Sequence, residues 1–308
     1  MTTIVYTHSA FARHEVPERH PECAARCAAV EAALGGEEFA GLIRREAPLA
    51  TPEMIERVHP KRYREAIETV ARKGLVRLDP DTFMGPSSAQ AALRAAGAGC
   101  AAVDAICAGE AGNAFVAARP PGHHAMPDRA MGFCLFNSAA IAALHARAVH
   151  GARRIAIVDF DVHHGNGVEA VCWHDENAFY ASSHEYPQYP GTGRASDCGG
   201  FGNIHNAPLP TGSAGEAFRR VWGERLLPAL SDFAPDFIAV CAGFDAHRAD
   251  PVGGLLLVED DFAWVTREIL SLARGACAGR VVSFLEGGYD PAALGGSTAA
   301  HVKALMAG

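Results

Sequence analysis

Long apolar segments and an excess of basic residues are both absent from this sequence. No segment approaches the ~18 consecutive apolar residues that a bilayer span requires, and the stretch MTTIVYTHSAFARHE shows no basic stretch followed by an apolar core. We therefore expect a soluble, cytoplasmic protein with no membrane partner. Asp and Glu outnumber Lys and Arg by 35 to 27, and the net charge of −8 argues against a nucleic-acid partner and suits a cationic substrate.

Closely paired cysteines, linkers, repeats and low-complexity tracts are also missing. The nine cysteines are odd in number and form no CxxC pair, which argues against a disulfide framework and predicts reduced, mostly buried thiols. A chain of 308 residues, 49% of them hydrophobic, is long enough for one large α/β domain. We predict a single domain over residues 1–308.

Short and long apolar segments alternate along the chain. Short runs rich in Val, Ile and Phe are typical of buried parallel strands, and the Ala- and Leu-rich stretches between them have helical spacing. The predicted strands are 4–7, 114–118, 155–160, 179–182, 237–241 and 281–285. The predicted helices are 22–34, 87–107, 138–149, 214–230 and 260–273, with a long surface connection at 199–210. This pattern predicts an α/β fold with a central, mostly parallel sheet and helices on both faces.

The predicted strand at 155–160 runs directly into the polar segment DVHHGNG. Because alternate side chains of a strand share a face, Asp159, Asp161 and His163 should point the same way, at the carboxyl edge where sites form in open α/β sheets. An isolated pattern of this kind would also fit a helix cap and a packed core histidine. Two neighbouring acids on a buried strand favour a metal site, since unpaired buried carboxylates are costly.

Polar side chains follow three further predicted strands. Asp245, in AGFDAHRADP, is a third candidate ligand, although alone it would fit a helix N-cap. His123 and His124 follow a rigid Arg-Pro-Pro-Gly turn. They could act as a general acid and a general base, or they could be two solvated loop histidines without a role. Tyr289, in LEGGYD, could donate a hydrogen bond to a developing oxyanion, or its ring could simply pack at the edge of the sheet. We expect ordinary histidines without a role at positions His8, His14, His145, His150, His174 and His301.

The four strand ends together indicate one kind of chemistry. Three protein ligands with an open fourth position are typical of a catalytic metal site. A metal that polarises a carbonyl and activates water, a histidine pair that moves protons and a tyrosine that steadies the oxyanion are typical of metal-assisted amide hydrolysis.

Six motifs in chain order resemble one known family. They are RPPGHHA, GFCLFNS, DFDVHHGNG, YPGTG, AGFDAHRADP and LEGGYD. The chain resembles a class II-like bacterial member of the zinc-dependent histone deacetylase and acetylpolyamine amidohydrolase family, which has the arginase-like fold. The similarity covers nearly the whole chain, and HPECAAR near the start is similar to the loop before that family's first helix.

The resemblance implies a role for each of these residues. Zn²⁺, with Fe²⁺ as the alternative, would be bound by Asp161, His163 and Asp245, beside the tandem histidines His123 and His124 and the oxyanion donor Tyr289. Asp159 would support His123. A structural K⁺ would be bound by Asp159, Ser182, Ser183 and the backbone oxygens of Asp161 and His163. The acyl-lysine channel would be lined by Gly132, Phe133, Tyr189 and Val252, with Asp81 as a rim acid.

Two positions depart from the common pattern of that family. Asn166 stands where many members carry an Asp beside the second histidine, and several class II-like members share this Asn. An amide cannot stabilise an imidazolium by charge, so His124 should be less basic and better suited to the role of acid. Val252 stands where polyamine-preferring relatives can carry a Glu, so a second amine on the substrate has no obvious partner.

The leading interpretation is a zinc deacetylase that removes acetyl or other short acyl groups from lysine-like amines, in a peptide or a small molecule. An acetylpolyamine amidohydrolase is the alternative, favoured by the acidic charge and opposed by Val252. An arginase-like binuclear manganese hydrolase would need further bridging carboxylates. A non-enzymatic acyl-lysine binder would not need Tyr289 and both tandem histidines. Assembly into a homo-oligomer stays open.

Overall fold

A parallel sheet forms the centre of the computed structural model, which describes residues 2–70, 72 and 74–308. The strands defined within these residues are β1 (Thr3–Thr7), β2 (Ile43–Glu46), β3 (Val76–Arg77), β4 (Phe83–Met84), β5 (Asn113–Val116), β6 (Ile155–Asp159), β7 (Ala178–Glu185), β8 (Ile204–Leu209), β9 (Phe237–Ala242) and β10 (Val281–Leu285). Eight of them form one sheet in the order β2-β1-β5-β10-β9-β6-β7-β8, and every neighbouring pair is parallel. β3 and β4 form a separate antiparallel pair. The predicted parallel sheet is confirmed.

Helices cover both faces of this sheet, as predicted. They are α1 (Ser9–Ala12), α2 (Ala25–Ala33), α3 (Pro52–Ile55), α4 (Lys61–Val70), α5 (Ser88–Cys107), α6 (Ser138–His150), α7 (Asn166–Cys172), α8 (Gly215–Val221), α9 (Leu227–Phe233), α10 (Glu259–Cys277) and α11 (Pro291–Ala307). One face packs against α5, α6 and α7, and the other against α2 and α8 to α11. Among the described residues, no helix is long and apolar enough to cross a membrane.

The alternation of side chains along each strand divides the core into two layers. In β6, Ile155 and Ile157 pack with the helices of one face, whereas Ala156 and Val158 pack with those of the other. A strand that is buried on both faces needs apolar residues at every position, which is why these strands read as continuous apolar runs. Single α/β domains with a large parallel sheet have this layered construction.

One sequence prediction about secondary structure is wrong, and one is incomplete. The segment 199–210 was expected to be a surface connection, but Ile204–Leu209 forms the edge strand β8, which pairs with β7. Its polar residues and Pro208 hide the strand pattern, and an edge strand tolerates proline because one side of its backbone is unpaired. The helix expected over 214–230 is divided by a π-helical turn at Trp222–Leu226, just before Pro228, which cannot donate a helical hydrogen bond.

All nine cysteines lie in the described part of the chain, and none of them forms a disulfide there. The buried ones are Cys100, Cys134, Cys172, Cys241 and Cys277, and Cys198 is exposed. Mostly buried, unpaired thiols agree with the surroundings seen in the sequence.

Gly97 lies where α5 passes close to the backbone of residues 48–50. A methyl group there would overlap the carbonyl oxygen of Pro48 and come within 2.5 Å of the Ala50 nitrogen. Helix propensity favours Gly97→Ala by ~1 kcal/mol, but overpacking costs ~1–3 kcal/mol. We expect Gly97→Ala to lower the free energy of unfolding in a urea titration. Gly275→Ala on α10 is the matched control, because nothing lies within 4 Å of its added methyl group. Equal stabilisation by both substitutions would contradict this packing.

Candidate active site

The polar segments identified in the sequence meet at the carboxyl edge of the sheet. β6 is paired with β9, and β9 with β10, which in turn is paired with β5. The loops that follow these four strands are therefore neighbours in space, since all parallel strands end at the same edge. Asp161 follows β6, Asp245 follows β9, and the tandem histidines follow β5.

Three candidate metal ligands lie close together at this carboxyl edge of the sheet. His163 Nδ1 lies 3.1 Å from Asp161 Oδ1 and 3.1 Å from Asp245 Oδ2. All three side chains are buried, and their ligand atoms lie within 4.8 Å of one another. Main-chain groups hold the carboxylates, because Val162 N donates to Asp245 Oδ1 at 2.9 Å and Gly287 N donates to Asp161 Oδ2 at 2.8 Å.

The electrostatics of these three residues fit a cation. Burial raises the pKa of Asp245, and the nearby charge of Asp161 raises it further, to about 7. Burial would lower the pKa of His163, but its hydrogen bonds with Asp161 and Asp245 outweigh this effect and raise the pKa to about 10. Two buried carboxylates and one imidazole form a donor set that suits Zn²⁺ or Fe²⁺. A side chain at Gly287 would overlap Asp245 Oδ2, so a glycine keeps this space open.

The tandem histidines lie beside this cluster and differ from each other in charge. His123 Nδ1 is 3.0 Å from Asp159 Oδ2, whereas His124 Nδ1 is 2.8 Å from Asn166 Oδ1. Burial opposes a charge on His123, but Asp161 and Asp159 raise its pKa to about 10. Burial and the positive charges of His123 and His163 lower the pKa of His124 well below its usual value. The geometry therefore pairs a cationic imidazole with a neutral one.

A cavity of about 180 Å³ leads to the two histidines His124 and His163. Its remaining lining residues are Asp81, Gly132, Phe133, Gln188, Tyr189, Val252 and Tyr289. The Phe133 ring meets the Tyr289 ring edge-on at 5.8 Å, and the Tyr189 ring meets the His124 ring at 5.1 Å. Every residue assigned from the sequence to the channel or to the oxyanion thus lies on the same cavity.

The two serines assigned to a potassium site lie on β7, next to the metal cluster. The register pairs Ser182 with Asp159 across the β6–β7 ladder. Ser182 Oγ is 2.9 Å from His184 Nδ1. Ser183 Oγ accepts a hydrogen bond from Trp222 Nε1 at 2.9 Å.

Three residues of the site were missed in the sequence. The Glu286 carboxylate accepts hydrogen bonds from Gly122 N and His123 N, at 2.7 and 3.1 Å, and so holds the tandem-histidine loop. Tyr180 donates its hydroxyl hydrogen to Asp159 Oδ2 at 3.2 Å. Gln188 lines the cavity. Glu286 carried a usable signal, since an acid directly after an apolar strand is the pattern that identified Asp161.

Three of the histidines that were expected to have no role are buried and have polar partners. His301 is buried between Thr266 Oγ1 and Ser283 Oγ, at 2.7 and 2.8 Å. His14 is buried against Ser88, and His145 lies buried on α6. Each has a polar partner far away in the sequence, which the local pattern cannot show.

Buried acids and imidazoles beside a cavity suit a metal-assisted hydrolase, and a match to a known family bears on this class. The model of the histone deacetylase domain matches residues 20–305, and the chain belongs to this family. The chain is therefore a deacetylase, an amidohydrolase of a metal-dependent family that acts on N-acyl amines.

Named relatives match this chain over nearly its whole length, which supports the assignment to this family. The chain is 40% identical to the chloroplastic histone deacetylase 14 of Arabidopsis thaliana, over 98% of this chain and 76% of that protein. It is 36% identical to a probable deacetylase of Archaeoglobus fulgidus, over 100% of this chain and 87% of that protein. Among solved structures, the HDA15 HD domain matches with a TM-score of 0.94 and 34% identity, over 99% of this chain and 88% of that one.

Proposed function

We propose that this protein removes acetyl or other short acyl groups from lysine-like amines, with Zn²⁺ or Fe²⁺ bound by Asp161, His163 and Asp245. The observation that carries the proposal is the cavity of about 180 Å³ that ends at His124, His163 and Tyr289. One candidate ligand, a neutral imidazole and a phenol line this one channel, and the other two candidate ligands lie beside His163. We also assign residues 1–308 to one catalytic domain.

A cation bound by these three side chains supplies Lewis acidity, which polarises the acyl carbonyl and lowers the pKa of a water molecule. His124 acts first as the general base and then as the general acid. Its Nδ1 faces the Asn166 oxygen and therefore bears a hydrogen, which leaves the Nε2 lone pair to take a proton from the attacking water. The same nitrogen then gives the proton to the leaving amine. His123 stays protonated beside Asp159 and offsets the negative charge that develops.

Tyr289 donates its hydroxyl hydrogen to the developing oxyanion. Its burial and the nearby charge of Asp245 raise the pKa of the phenol well above its usual value, so it remains a donor at neutral pH. Asp250 fixes the main chain at this point, since its Oδ2 accepts a hydrogen bond from Tyr289 N at 2.6 Å. A donor fixed before the reaction stabilises the transition state without reorganisation.

The channel walls suit a thin alkyl stem. Phe133 and Tyr189 contribute aromatic rings on which the methylenes of a lysine side chain can pack. Asp81 lies at the same cavity and is placed to accept a hydrogen bond from the substrate backbone. A structural K⁺ beside Asp159 belongs to the same proposal, because burial raises the pKa of this carboxyl and a cation would offset its charge.

An acetylpolyamine amidohydrolase is the second candidate, and the acid Asp81 on the cavity favours it. A substrate panel separates the two functions. We expect a higher kcat/KM for an acetyl-lysine peptide than for N-acetylputrescine, because Val252 offers no partner to a second ammonium group. Val252→Glu should shift the ratio towards N-acetylputrescine by roughly tenfold, the effect of one charge-assisted hydrogen bond.

Val252→Gln is the matched control, since it has the size of the glutamate without its charge, and it should leave the ratio near that of the wild type. A wild-type preference for N-acetylputrescine would select the second candidate. Inactivity on every N-acyl amine of the panel would refute both.

A further inference from the structure

Three metal-binding side chains meet at a second place, outside the active site. Asp104 lies on α5, and His145 and His150 lie on α6. His145 Nε2 and His150 Nε2 are each 2.7 Å from Asp104 Oδ1, and the three ligand atoms lie within 4.8 Å of one another. The two histidines are five residues apart, and His150 is the last residue of α6; both rings reach the same carboxylate oxygen on the neighbouring helix.

This cluster is separated from the active site by the length of α6. The helix begins beside the tandem-histidine loop, where Asn137, its N-cap, donates a hydrogen bond to Ala125 O at 3.3 Å. It ends at His150, about 20 Å away at a rise of about 1.5 Å per residue. A ligand of this cluster therefore has no contact with the channel or with Asp161, His163 and Asp245.

The surroundings of Asp104 and His145 favour the protonation states in which these two side chains bind metals. Burial favours the neutral form of Asp104, but hydrogen bonds from His150 and His145 outweigh it and lower its pKa, so the carboxylate is ionised. Burial lowers the pKa of His145 and keeps this imidazole neutral. In the metal-free protein His145 Nε2 donates its hydrogen to Asp104 Oδ1, and its Nδ1 is buried without a hydrogen-bond partner among the described residues, so no other hydrogen bond opposes a shift of the proton to Nδ1 when a cation takes the place of the proton on Nε2. Metal binding requires an ionised carboxylate and a free imidazole lone pair.

We propose that Asp104, His145 and His150 form a second metal site, which binds a late first-row divalent cation such as Zn²⁺ through two imidazole nitrogens and one carboxylate oxygen. Imidazole ligands favour such ions over Mg²⁺ and Ca²⁺. The site is peripheral to catalysis and ties α5 to α6.

The geometry allows the small adjustment that binding requires. Tetrahedral bonds of about 2.0 Å place ligand atoms ~3.3 Å apart, so the separations of 2.7 Å must widen slightly. The Asp104 and His150 side chains are 47% and 25% exposed and can move, whereas His145 is fixed in the core. A polar cavity of about 90 Å³ borders His150, so water reaches this side chain.

The test is the number of Zn²⁺ ions that the full chain binds. Protein stripped with a chelator is dialysed against buffered free Zn²⁺, and bound zinc is measured by elemental analysis. We expect two equivalents for the wild type and one for His150→Ala and for Asp104→Asn, with deacetylase activity of both variants unchanged. His174→Ala removes an exposed histidine elsewhere and should retain two equivalents. Asp104→Asn keeps the size and one oxygen of the side chain, so folding is preserved.

The outcome is independent of the proposed function. One equivalent in the wild type that His150→Ala and Asp104→Asn both retain, or two equivalents in both variants, would overturn the second site. Asp245→Ala should bind one equivalent, at the second site alone, and Asp245→Ala combined with His150→Ala should bind none. Two equivalents in Asp245→Ala would instead refute the active-site ligand set and leave the second site standing.

Discussion

Tyr289→Phe is expected to lower kcat by ~10²-fold or more while KM changes little. The hydroxyl donates to an oxyanion that exists only in the transition state, so its loss raises the barrier without weakening substrate binding. Phe should keep the ring in place, because the contacts of the ring with Phe133 and Arg26 and the hydrogen bond from Tyr289 N to Asp250 do not involve the hydroxyl. Steady-state kinetics with an acetyl-lysine peptide measure the effect.

Tyr186→Phe is the matched control for this substitution. Tyr186 lies three residues before Tyr189 but does not line the cavity, so removal of its hydroxyl should leave kcat unchanged. Full activity of Tyr289→Phe would show that the oxyanion is stabilised by other groups. A large rise in KM with an unchanged kcat would assign Tyr289 to substrate binding instead.

Asp245→Ala is expected to weaken metal binding at the active site by ~100-fold or more and to abolish turnover. Changes to groups that only support a ligand already cost about 10–100-fold in metal affinity, and Asp245 is proposed as a ligand itself. The substitution also leaves Val162 N without its acceptor in the core. Affinity is measured by competition with a chromogenic chelator, in a His150→Ala background that leaves one equivalent to follow.

Two further variants separate the loss of a ligand from a general effect of charge. Asp245→Asn keeps an oxygen for Val162 N but loses the negative charge, so it should bind the metal with intermediate affinity. Asp232→Ala removes an exposed carboxylate elsewhere and should bind as tightly as the parent. Wild-type affinity in Asp245→Ala would exclude Asp245 as a ligand.

The interior of the sheet was predictable because buried parallel strands have a distinctive composition. β6, β9 and β10 are apolar at nearly every position, and Asp161, Asp245 and Glu286 follow within three residues of their ends, so the strands could be recognised in the sequence. The edge strands could not. β2 reads IRRE and is largely exposed, and β8 reads IHNAPL, so neither carries the apolar run by which a buried strand is recognised.

The site was predictable where its residues follow strands, and not where they depend on partners elsewhere. Asp161 and His163 lie just beyond the end of β6 at Asp159, and their side chains still meet at 3.1 Å, as the alternation of side chains predicted. Tyr180 supports Asp159 only through the register of β6 and β7, and Glu286 acts on the main chain of another loop. The cluster of Asp104 with His145 and His150 joins two helices that no local pattern connects.

A crystal structure of the protein grown with Zn²⁺, with diffraction data on both sides of the zinc absorption edge, tests the ligand set directly. We predict an anomalous peak about 2.0–2.2 Å from His163 Nδ1 and from one carboxylate oxygen each of Asp161 and Asp245. Zinc bound elsewhere in the molecule, with no peak between these three side chains, would contradict the metal-dependent mechanism proposed for this site.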